Sequence, residues 1–443
     1  MPAEGEMGMD ALIARIADRS AKVGVVGLGY VGLPLAVEAA NEGFHVTGID
    51  LSQSKCDAVN AGSSYIKDLS DEHLAEVVHA GRLRAVATFE AVAELDVIVI
   101  AVPTPLDDHL IPDMSYVTSA SESIGKYLKA GQLVSLESTT YPGTTKEVIQ
   151  PMLERMSGMK AEQDFYLAHS PERVDPGNTK YQTKNTPKVV GGLGPNSHQV
   201  ASAFYAAVVD TVVPVSSAEA AELTKVFENT FRAVNIALVN ELLMLCDRMG
   251  IDVWEVLDAA NTKPFGIMRF MPGPGVGGHC IPLDPHYLEW KARAFNFRAR
   301  FIELAGEINR AMPLFVRDKA LRMLNEIGKP LKGSKIVVLG VAYKRDIDDW
   351  RESPSIHVLE LLEHAGSDVV YHDPFVPDFT EKGHTRHSVA LTDELLTSSD
   401  LVVITTPHSN VDYDRVVALA PAVLDTRDVT RHMDLTGKMV VRL

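Results

Sequence analysis

Cys280 ends the run Pro272-Gly-Pro-Gly-Val-Gly-Gly-His-Cys280, with Asp284 four residues later. Four glycines and two prolines within 272–278 exclude an ordinary helix or strand, because proline removes donors and glycine weakens both structures. Such a loop lets backbone approach a ligand and leaves a thiol at its edge. A thiolate nucleophile needs cations or helix termini nearby to lower its pKa. Lys225 and Asn229 lie four apart in a long helical stretch, so they project from one face. A lysine and an amide placed so can polarise a carbonyl oxygen or hold a water. A third feature is Lys22-Val-Gly-Val-Val-Gly27-Leu-Gly29-Tyr-Val-Gly32, an apolar strand running into the Gly-x-Gly-x-x-Gly turn of a dinucleotide site. A dinucleotide turn plus a placed cysteine points to a dehydrogenase that works through a covalent thioester. Each group also has a plainer reading: a buried core cysteine, two helix-surface residues, and a loop aspartate before Pro285.

In the turn, Gly27 permits the tight bend, Gly29 lets a pyrophosphate approach, and Gly32 lets helix pack on strand. Phe44-His-Val-Thr-Gly-Ile-Asp50 follows, and Asp50 closes a second strand near the offset expected for a carboxylate on the adenosine ribose. An acidic residue there favours NAD over NADP, whose 2′-phosphate it would repel. A turn that binds a different nucleotide is the alternative. Two further carboxylate runs follow strand ends, where ligands sit in such sheets: Glu137-Ser138-Thr139-Thr140 and His169-Ser-Pro171-Glu172-Arg173-Val174-Asp175. Their carboxylates act on a proton or make ion pairs. Near the C-terminus, Val338-Leu-Gly340-Val-Ala-Tyr-Lys344 has lost the later glycines and suits a dinucleotide poorly. Lys344 and Arg351 either meet phosphates there or belong to a solvated charged loop. No Cys/His cluster has metal-ligand spacing, so no metal is expected.

The 443 residues suffice for two or three domains, and 46% hydrophobic with 23% charged residues is ordinary globular composition. A formal net charge of −17 argues against nonspecific nucleic-acid or anionic-membrane binding but not against an anionic substrate. Three widely spaced cysteines cannot all pair, which suggests a reduced, cytoplasmic protein. Apolar runs such as Val97 to Val102 are too short to span a bilayer, and Met1 to Ser20 lacks a signal-peptide layout. Residues 9–18 read as a short amphipathic helix.

Strand-like runs at 22–27, 44–49, 97–102, 132–137, 165–169 and 188–191 alternate with helical patterns, which indicates a doubly wound parallel sheet. Ser217 to Met249 is one helical stretch without proline or glycine, and Gly250 suits its C-cap. Another helical region is expected from Tyr287 to about Ile327. Strand runs restart at 334–340, 368–371, 401–405 and 422–425. The expected architecture is α/β: two Rossmann-like, doubly wound lobes joined by a central helical domain with one long helix. The boundaries fall at 1–213, 214–328 and 329–443.

The residues resemble the nucleotide-sugar 6-dehydrogenases, the UDP-glucose/GDP-mannose dehydrogenase family, from about residue 20 to the end. The resemblance rests on Gly27-x-Gly29-x-x-Gly32, Ala101-Val-Pro103-Thr104-Pro105, Glu137-Ser-Thr139, Ser170-Pro-Glu172, Lys225-x-x-x-Asn229, Gly277-Gly278-His279-Cys280-x-x-x-Asp284, Lys344-x-Asp346 and Arg351-Glu-Ser353. It implies a four-electron oxidation of a sugar C6 alcohol with NAD, through a thiohemiacetal and a thioester on Cys280. Lys225 and Asn229 would stabilise the oxyanion, and Asp284 would position or activate water. Thr139 and Glu172 match positions that assist proton steps. Cofactor contacts would come from Gly27, Gly29, Tyr30, Val31, Gly32, Asp50, Lys55, Thr104, Thr139 and Arg351. Substrate contacts would come from Glu172, Arg173, Val174, Lys225, Asn229, Pro274, Gly275, Gly277, Lys344 and Arg427. Arg269 is matched to the family arginine that reaches a neighbouring subunit's substrate. The long helix resembles the family's dimer element, so a homodimer or higher homo-oligomer is expected.

The UDP-glucose branch usually carries Pro-Glu-Phe-Leu-Arg-Glu; Pro176 stands here at the second Glu, whose role is absent or taken by another residue. The glycine loop looks like the UDP-N-acetylhexosamine branch, and Glu137-Ser-Thr-Thr-Tyr-Pro-Gly-Thr-Thr145 looks most like UDP-N-acetylglucosamine 6-dehydrogenases. A small glycine-lined pocket would leave room for an acetamido group. UDP-N-acetylmannosamine and UDP-glucose are the alternatives within the class, and a nonoxidising nucleotide-sugar binder is the alternative outside it. An epimerase would want a Tyr-x-x-x-Lys base after the third or fourth strand, and none is present.

Overall fold

Apolar strands buried on both faces set the architecture. The structure is a computed structural model that describes residues 4–67, 69–107, 111–175, 178, 180–278 and 280–443. Pro176 and His279, both singled out from the sequence, lie outside the described residues. The chain divides into two compact units: residues up to Glu228 with His286–Asn296, and Asn229–Pro285 with Phe297–Leu443.

The first unit holds an eight-stranded sheet of β1 (Lys22–Val26), β2 (His45–Ile49), β3 (Leu83–Val86), β4 (Val97–Ile100), β5 (Leu133–Leu136), β6 (Tyr166–His169), β7 (Lys188–Gly192) and β8 (Val212–Pro214). Their spatial order is β3-β2-β1-β4-β5-β6-β7-β8, all parallel except the β6–β7 pair. Val97 and Val99 enter one core and Ile98 and Ile100 the other, which is why β4 is apolar throughout rather than alternating. The order reverses between β1 and β4. The crevice beyond the carboxyl ends of those strands is where such sheets bind ligands.

The second unit holds β9 (Lys335–Leu339), β10 (Asp368–His372), a hairpin of β11 (Asp378–Glu381) and β12 (His384–His387), then β13 (Leu401–Ile404), β14 (Ala422–Asp425) and β15 (Met439–Arg442). The parallel sheet runs β10-β9-β13-β14-β15. Ile336 and Val338 face one core, Val337 and Leu339 the other. The expected strands are all present. β3, β8, β15 and the hairpin were not foreseen.

The long helix spans Ala218–Met249. It ends where expected. Gly250 takes φ +68°, and the Ile251 N–H reaches back to the Cys246 carbonyl at 3.0 Å, a left-handed glycine cap. The helical region expected over 287–327 is instead two helices, Asp284–Arg293 and Arg300–Glu326. Asn296 separates them at φ +53°, a left-handed conformation that asparagine tolerates better than most residues.

Candidate active site

In the first unit, β1 runs into the glycine turn and the turn into the helix Gly32–Asn41. Gly27 sits at φ +91°, and a Cβ there would stand 2.6 Å from the Ala101 carbonyl oxygen. A Cβ on Gly32 would stand 1.8 Å from the Gly27 oxygen. These two glycines are required by the chain's own packing. Gly29 differs, since nothing lies within 4 Å of where its Cβ would be. That bare stretch of backbone precedes a helix N-terminus at which Val31 supplies no side-chain cap, while Tyr30 stands half-exposed. Asp50 follows β2. Its Oδ2 accepts the Leu28 N–H at 2.9 Å, its Oδ1 accepts the Ser52 N–H at 2.9 Å, and Lys55 Nζ lies 3.4 Å away. The Tyr65 hydroxyl braces the turn from below, donating to the Leu28 carbonyl at 2.6 Å. Open backbone, a helix N-terminus and a carboxylate at the second strand's end together fit a dinucleotide. Thr104 and Thr139 are half-buried beyond β4 and β5, and the Thr104 carbonyl accepts the Tyr287 hydroxyl.

A buried charge cluster lies at the ends of β5 and β6. Lys188, opening β7, is 3% exposed. Its Nζ donates to Glu137 Oε2 at 2.9 Å and to Glu172 Oε2 at 3.2 Å. Glu172 Oε1 also accepts the backbone N–H groups of Arg173 and Val174, each at 2.7 Å. Burial opposes the Glu172 charge, but Lys188, the Val174 N–H and Lys225 prevail and hold its pKa below the ordinary glutamate value. Glu137 is fully buried with Oε1 unpartnered, and burial pushes it up to about 7 against the pull of Lys188. Burial, with Lys188 nearby, drives His169 down to about 3. Arg173 makes a bidentate pair with Glu228 at 2.6 and 3.2 Å, so its guanidinium is engaged within the protein. Lys225 is buried on the long helix. Lys188 was missed in the sequence, where it reads as the polar first residue of an apolar strand.

The second unit carries the thiol. Cys280 is exposed and not disulfide-bonded, whereas Cys56 and Cys246 are buried. The Cys280 carbonyl accepts the N–H of Asp284 at 2.9 Å, so the thiol residue and the carboxylate share one turn. Asp284 is buried and begins a helix rather than lying in a plain loop, and Asn229 Nδ2 donates to its Oδ2 at 2.5 Å. The loop glycines do not open a pocket. A Cβ on Gly273 would meet Arg427 Nη1 at 2.5 Å, and one on Gly275 would meet the Pro354 side chain at 2.9 Å. One on Gly277 would stand 2.8 Å from the Glu352 oxygen, and one on Gly278 would stand 2.9 Å from the Tyr343 ring. The expected glycine-lined room for an acetamido group is therefore filled by the chain itself, and these glycines, with buried Pro274, permit close packing. Arg427 donates from Nε to the Thr405 carbonyl at 2.8 Å, and burial lowers its pKa to about 10. Arg351 pairs with Asp349 at 2.6 and 2.8 Å, and Arg269 with Asp258 at 2.7 Å. Lys344 is half-buried. Among the described residues no group of three or more His, Cys, Asp or Glu is arranged to hold a metal, and no helix is long and apolar enough to cross a membrane.

Three consecutive domains of the UDP-glucose/GDP-mannose dehydrogenase family match this chain: the NAD binding domain over residues 21–209, the central domain over 219–311 and the UDP binding domain over 337–432. A UDP-N-acetyl-D-mannosamine dehydrogenase of Methanococcus maripaludis is 33% identical over 424 residues, covering 93% of each chain. A UDP-N-acetyl-D-glucosamine 6-dehydrogenase of Pseudomonas aeruginosa is 36% identical over 356 residues, 80% of this chain and 83% of the relative. Among solved structures, a UDP-D-ManNAc dehydrogenase from Pyrococcus horikoshii superposes with a TM-score of 0.87 at 31% identity, covering 95% of this chain and 98% of that one.

Proposed function

The chain belongs to the UDP-glucose/GDP-mannose dehydrogenase family, and from that premise we propose that it oxidises the C6 alcohol of a UDP-N-acetylhexosamine to the uronic acid through a thioester on Cys280. One observation carries this reading: an exposed thiol in no disulfide shares a turn with a buried carboxylate that an asparagine amide already orients. NAD, held by the Gly27–Gly32 turn and Asp50, would supply the hydride acceptor for both oxidations of C6, a fresh molecule being needed for the second. Between the two transfers, the Cys280 sulfur adds to the aldehyde carbon and forms a C–S bond. Lys225 and the second amide hydrogen of Asn229 stabilise the oxygen. After the second hydride leaves, water held by Asp284 and Lys225 attacks the thioester, the C–S bond breaks and the thiolate returns. Thr139 and Glu172 serve the proton steps. The covalent link lets the second oxidation proceed without release of a reactive aldehyde.

In this reading residues 1–213 bind the dinucleotide, with Tyr30, Val31, Thr104 and Arg351 among its contacts. Residues 214–328 supply Lys225, Asn229 and Cys280, and 329–443 bind the UDP-sugar. Arg173, Val174, Pro274, Gly275, Gly277, Lys344 and Arg427 are substrate contacts, the valine and loop residues through backbone. Leu223, Phe227, Phe231, Leu238, Leu245 and Met249 are exposed along one face of the long helix, which favours a homodimer or higher oligomer with Arg269 reaching a neighbour's substrate. A monomer-sized particle in light scattering at micromolar concentration overturns that assembly. Free cysteines favour a cytoplasmic setting.

UDP-N-acetylglucosamine is the favoured sugar, on the run Glu137–Thr145 and the Pseudomonas aeruginosa relative. UDP-N-acetylmannosamine is the second reading, favoured by the Methanococcus maripaludis and Pyrococcus horikoshii relatives. The test is NADH yield with limiting UDP-N-acetylglucosamine, UDP-N-acetylmannosamine, UDP-glucose or UDP-galactose. The expected result is two NADH per UDP-N-acetylglucosamine and nearly complete loss of acid in Cys280→Ser with sugar binding kept. Full activity in that variant ends the thioester reading, and no NADH from any sugar leaves a nonoxidising binder.

A further inference from the structure

Two glutamates and one lysine meet in the first unit with almost no access to water. Lys188 makes its two hydrogen bonds to carboxylates from two different segments, Glu137 beyond β5 and Glu172 beyond β6. Two carboxylates therefore share one buried cation. They are not equivalent. Glu172 has two backbone N–H partners besides Lys188, and its side chain keeps 13% exposure, so it remains open to a ligand. Glu137 has no backbone N–H partner; it meets Lys188 and the Tyr205 hydroxyl, with Oε1 unpartnered and no exposure.

We propose that Lys188 is a positioning residue for Glu172, holding its Oε2 in place and its charge in being, and that Glu137 is the second carboxylate that competes for the same ammonium. The proposal rests on the reading above in which Glu172 serves the proton steps.

Charge decides the behaviour. Like charges this close cannot both ionise cheaply out of water, so the better-solvated member ionises first. That member is Glu172. The groups facing the pair are Lys188 from β7, His169 from β6, Tyr205 from the helix Pro195–Ala206 and Lys225 from the long helix. His169 is neutral at ordinary pH, since burial lowers it to about 3. Tyr205 stays protonated, its hydroxyl 2.9 Å from Ser135 and its ring centroid 5.4 Å from Lys188 Nζ. Lys188 and Lys225 are thus the cations available to the two glutamates within this group. As pH falls Glu137 takes its proton first, near 7, and the ammonium is left to the charge of Glu172. The two acids titrate as a coupled pair, and the acid limb of the rate profile is the lower of its two steps.

The sign follows. An ionised Glu172 is needed to accept a proton, so activity falls as pH drops through its folded pKa. Removing the cation raises that pKa and moves the limb to higher pH. Glu137 is already protonated in that range, so its replacement by Gln leaves the limb in place.

The experiment compares kcat against pH for the wild-type enzyme, Lys188→Met, Lys188→Arg and Glu137→Gln, each checked by circular dichroism and NAD binding. Lys188→Met is expected to lose about 100-fold in kcat at neutral pH, the scale of one misplaced proton-transfer group, with KM values within about threefold. Its acid limb moves up by about one pH unit or more. Lys188→Arg recovers most of the rate, and Glu137→Gln, which fixes the neutral state Glu137 already holds there, leaves the limb in place. A merely structural lysine would lower the melting temperature and leave the limb in place in every variant. A folded Lys188→Met with the wild-type profile overturns the proposal. So does an unmoved limb in Lys188→Gln, the polar truncation measured where Lys188→Met fails to fold. Wild-type NADH yield and its loss in Cys280→Ser are measured first. Failure there defeats the catalytic reading and this inference with it; success there with an unmoved limb in Lys188→Met or Lys188→Gln defeats only the role of Lys188.

Discussion

After β1 the first lobe reads Gly27-Leu-Gly29-Tyr-Val-Gly32, and after β9 the second reads Gly340-Val-Ala342-Tyr-Lys-Arg345. The first glycine does the same job in both. Gly27 and Gly340 take φ +91° and +85°, and a Cβ on either would press on a carbonyl oxygen of the next sheet crossover, Ala101 at 2.6 Å or Thr406 at 2.4 Å. The lobes part at the next position. Gly29 faces open space. Ala342 is fully buried, its N–H donating to Asp373 and its carbonyl accepting the Thr406 hydroxyl.

The carboxylates after the second strand diverge in the same way. Asp50 is held by two backbone N–H groups and a distant lysine, and its side chain keeps 12% exposure. Asp373 is sealed. It accepts from the backbone of Val341, Ala342, Phe375 and Val376 and from His408 Nε2, at 2.7 to 3.0 Å. His408 Nδ1 accepts the Asp346 N–H, so Nε2 carries the hydrogen. Burial opposes the Asp373 charge, but His408 and the backbone donors win and hold its pKa below the usual aspartate value. One lobe keeps a bare backbone and spare lone pairs for a ligand. The other turns the same skeleton into an internal joint. A strand, a turn and a carboxylate make a nucleotide site only while the backbone stays uncovered.

Substitutions in the two lobes test that division. The largest effect is expected at the third glycine. Gly32→Val drives a side chain into the Gly27 carbonyl, which would lie 1.8 Å from its Cβ, and should cost about 3 kcal/mol or more. Ala342→Gly in the other lobe should cost about 1 kcal/mol and gain no cofactor. Urea denaturation reads both, and equal losses would erase the distinction. The aspartates come next. Asp373→Ala strands several buried donors and should lose about 3 kcal/mol of stability with NAD affinity unchanged. Asp50→Ala should weaken NAD about 10- to 100-fold in calorimetric titration and cost no more than about 1 kcal/mol of stability. A reversed pattern would mean that the second lobe holds the cofactor carboxylate. The smallest effect is a pH slope in the first lobe. His169 binds its proton only near pH 3 when folded but near 6.5 when unfolded, so its contribution favours the unfolded state increasingly as pH falls below 6.5. His169→Asn should remove about 2 kcal/mol of that acid sensitivity between pH 6.5 and 5. Identical slopes in variant and wild type would show His169 to be accessible to protons.

Much of this contrast was legible in advance. The glycine spacing, Asp50 and the loss of later glycines after Gly340 separated the lobes before any coordinate was considered. The helix end at Gly250 was legible too, because one glycine stops an otherwise uninterrupted pattern. What escaped was short or depended on a distant partner. β3 and β12 are four residues each, and β12 carries no apolar side chain at all, so neither is long enough or apolar enough to show a period. The break at Asn296 hinges on a single left-handed residue inside a helical pattern. Lys188 looked like a strand's polar edge, because its meaning comes from carboxylates 51 and 16 residues away. The glycine loop misled in the opposite direction. Its composition suggested space, and the structure fills that space with Arg427, Pro354 and Tyr343.

The uncovered backbone at Gly29 also shapes how a ligand arrives. The chain carries a formal net charge of −17, while the pyrophosphate it would cradle is a dianion. At long range the protein therefore pushes its own cofactor away. The attraction comes from the positive dipole end of the helix Gly32–Asn41 and fades within about one turn. The Debye length is about 8 Å at physiological ionic strength, so salt screens the distant repulsion and leaves the close attraction largely intact. Association with the cofactor thus quickens as salt is added, the reverse of capture by a basic groove.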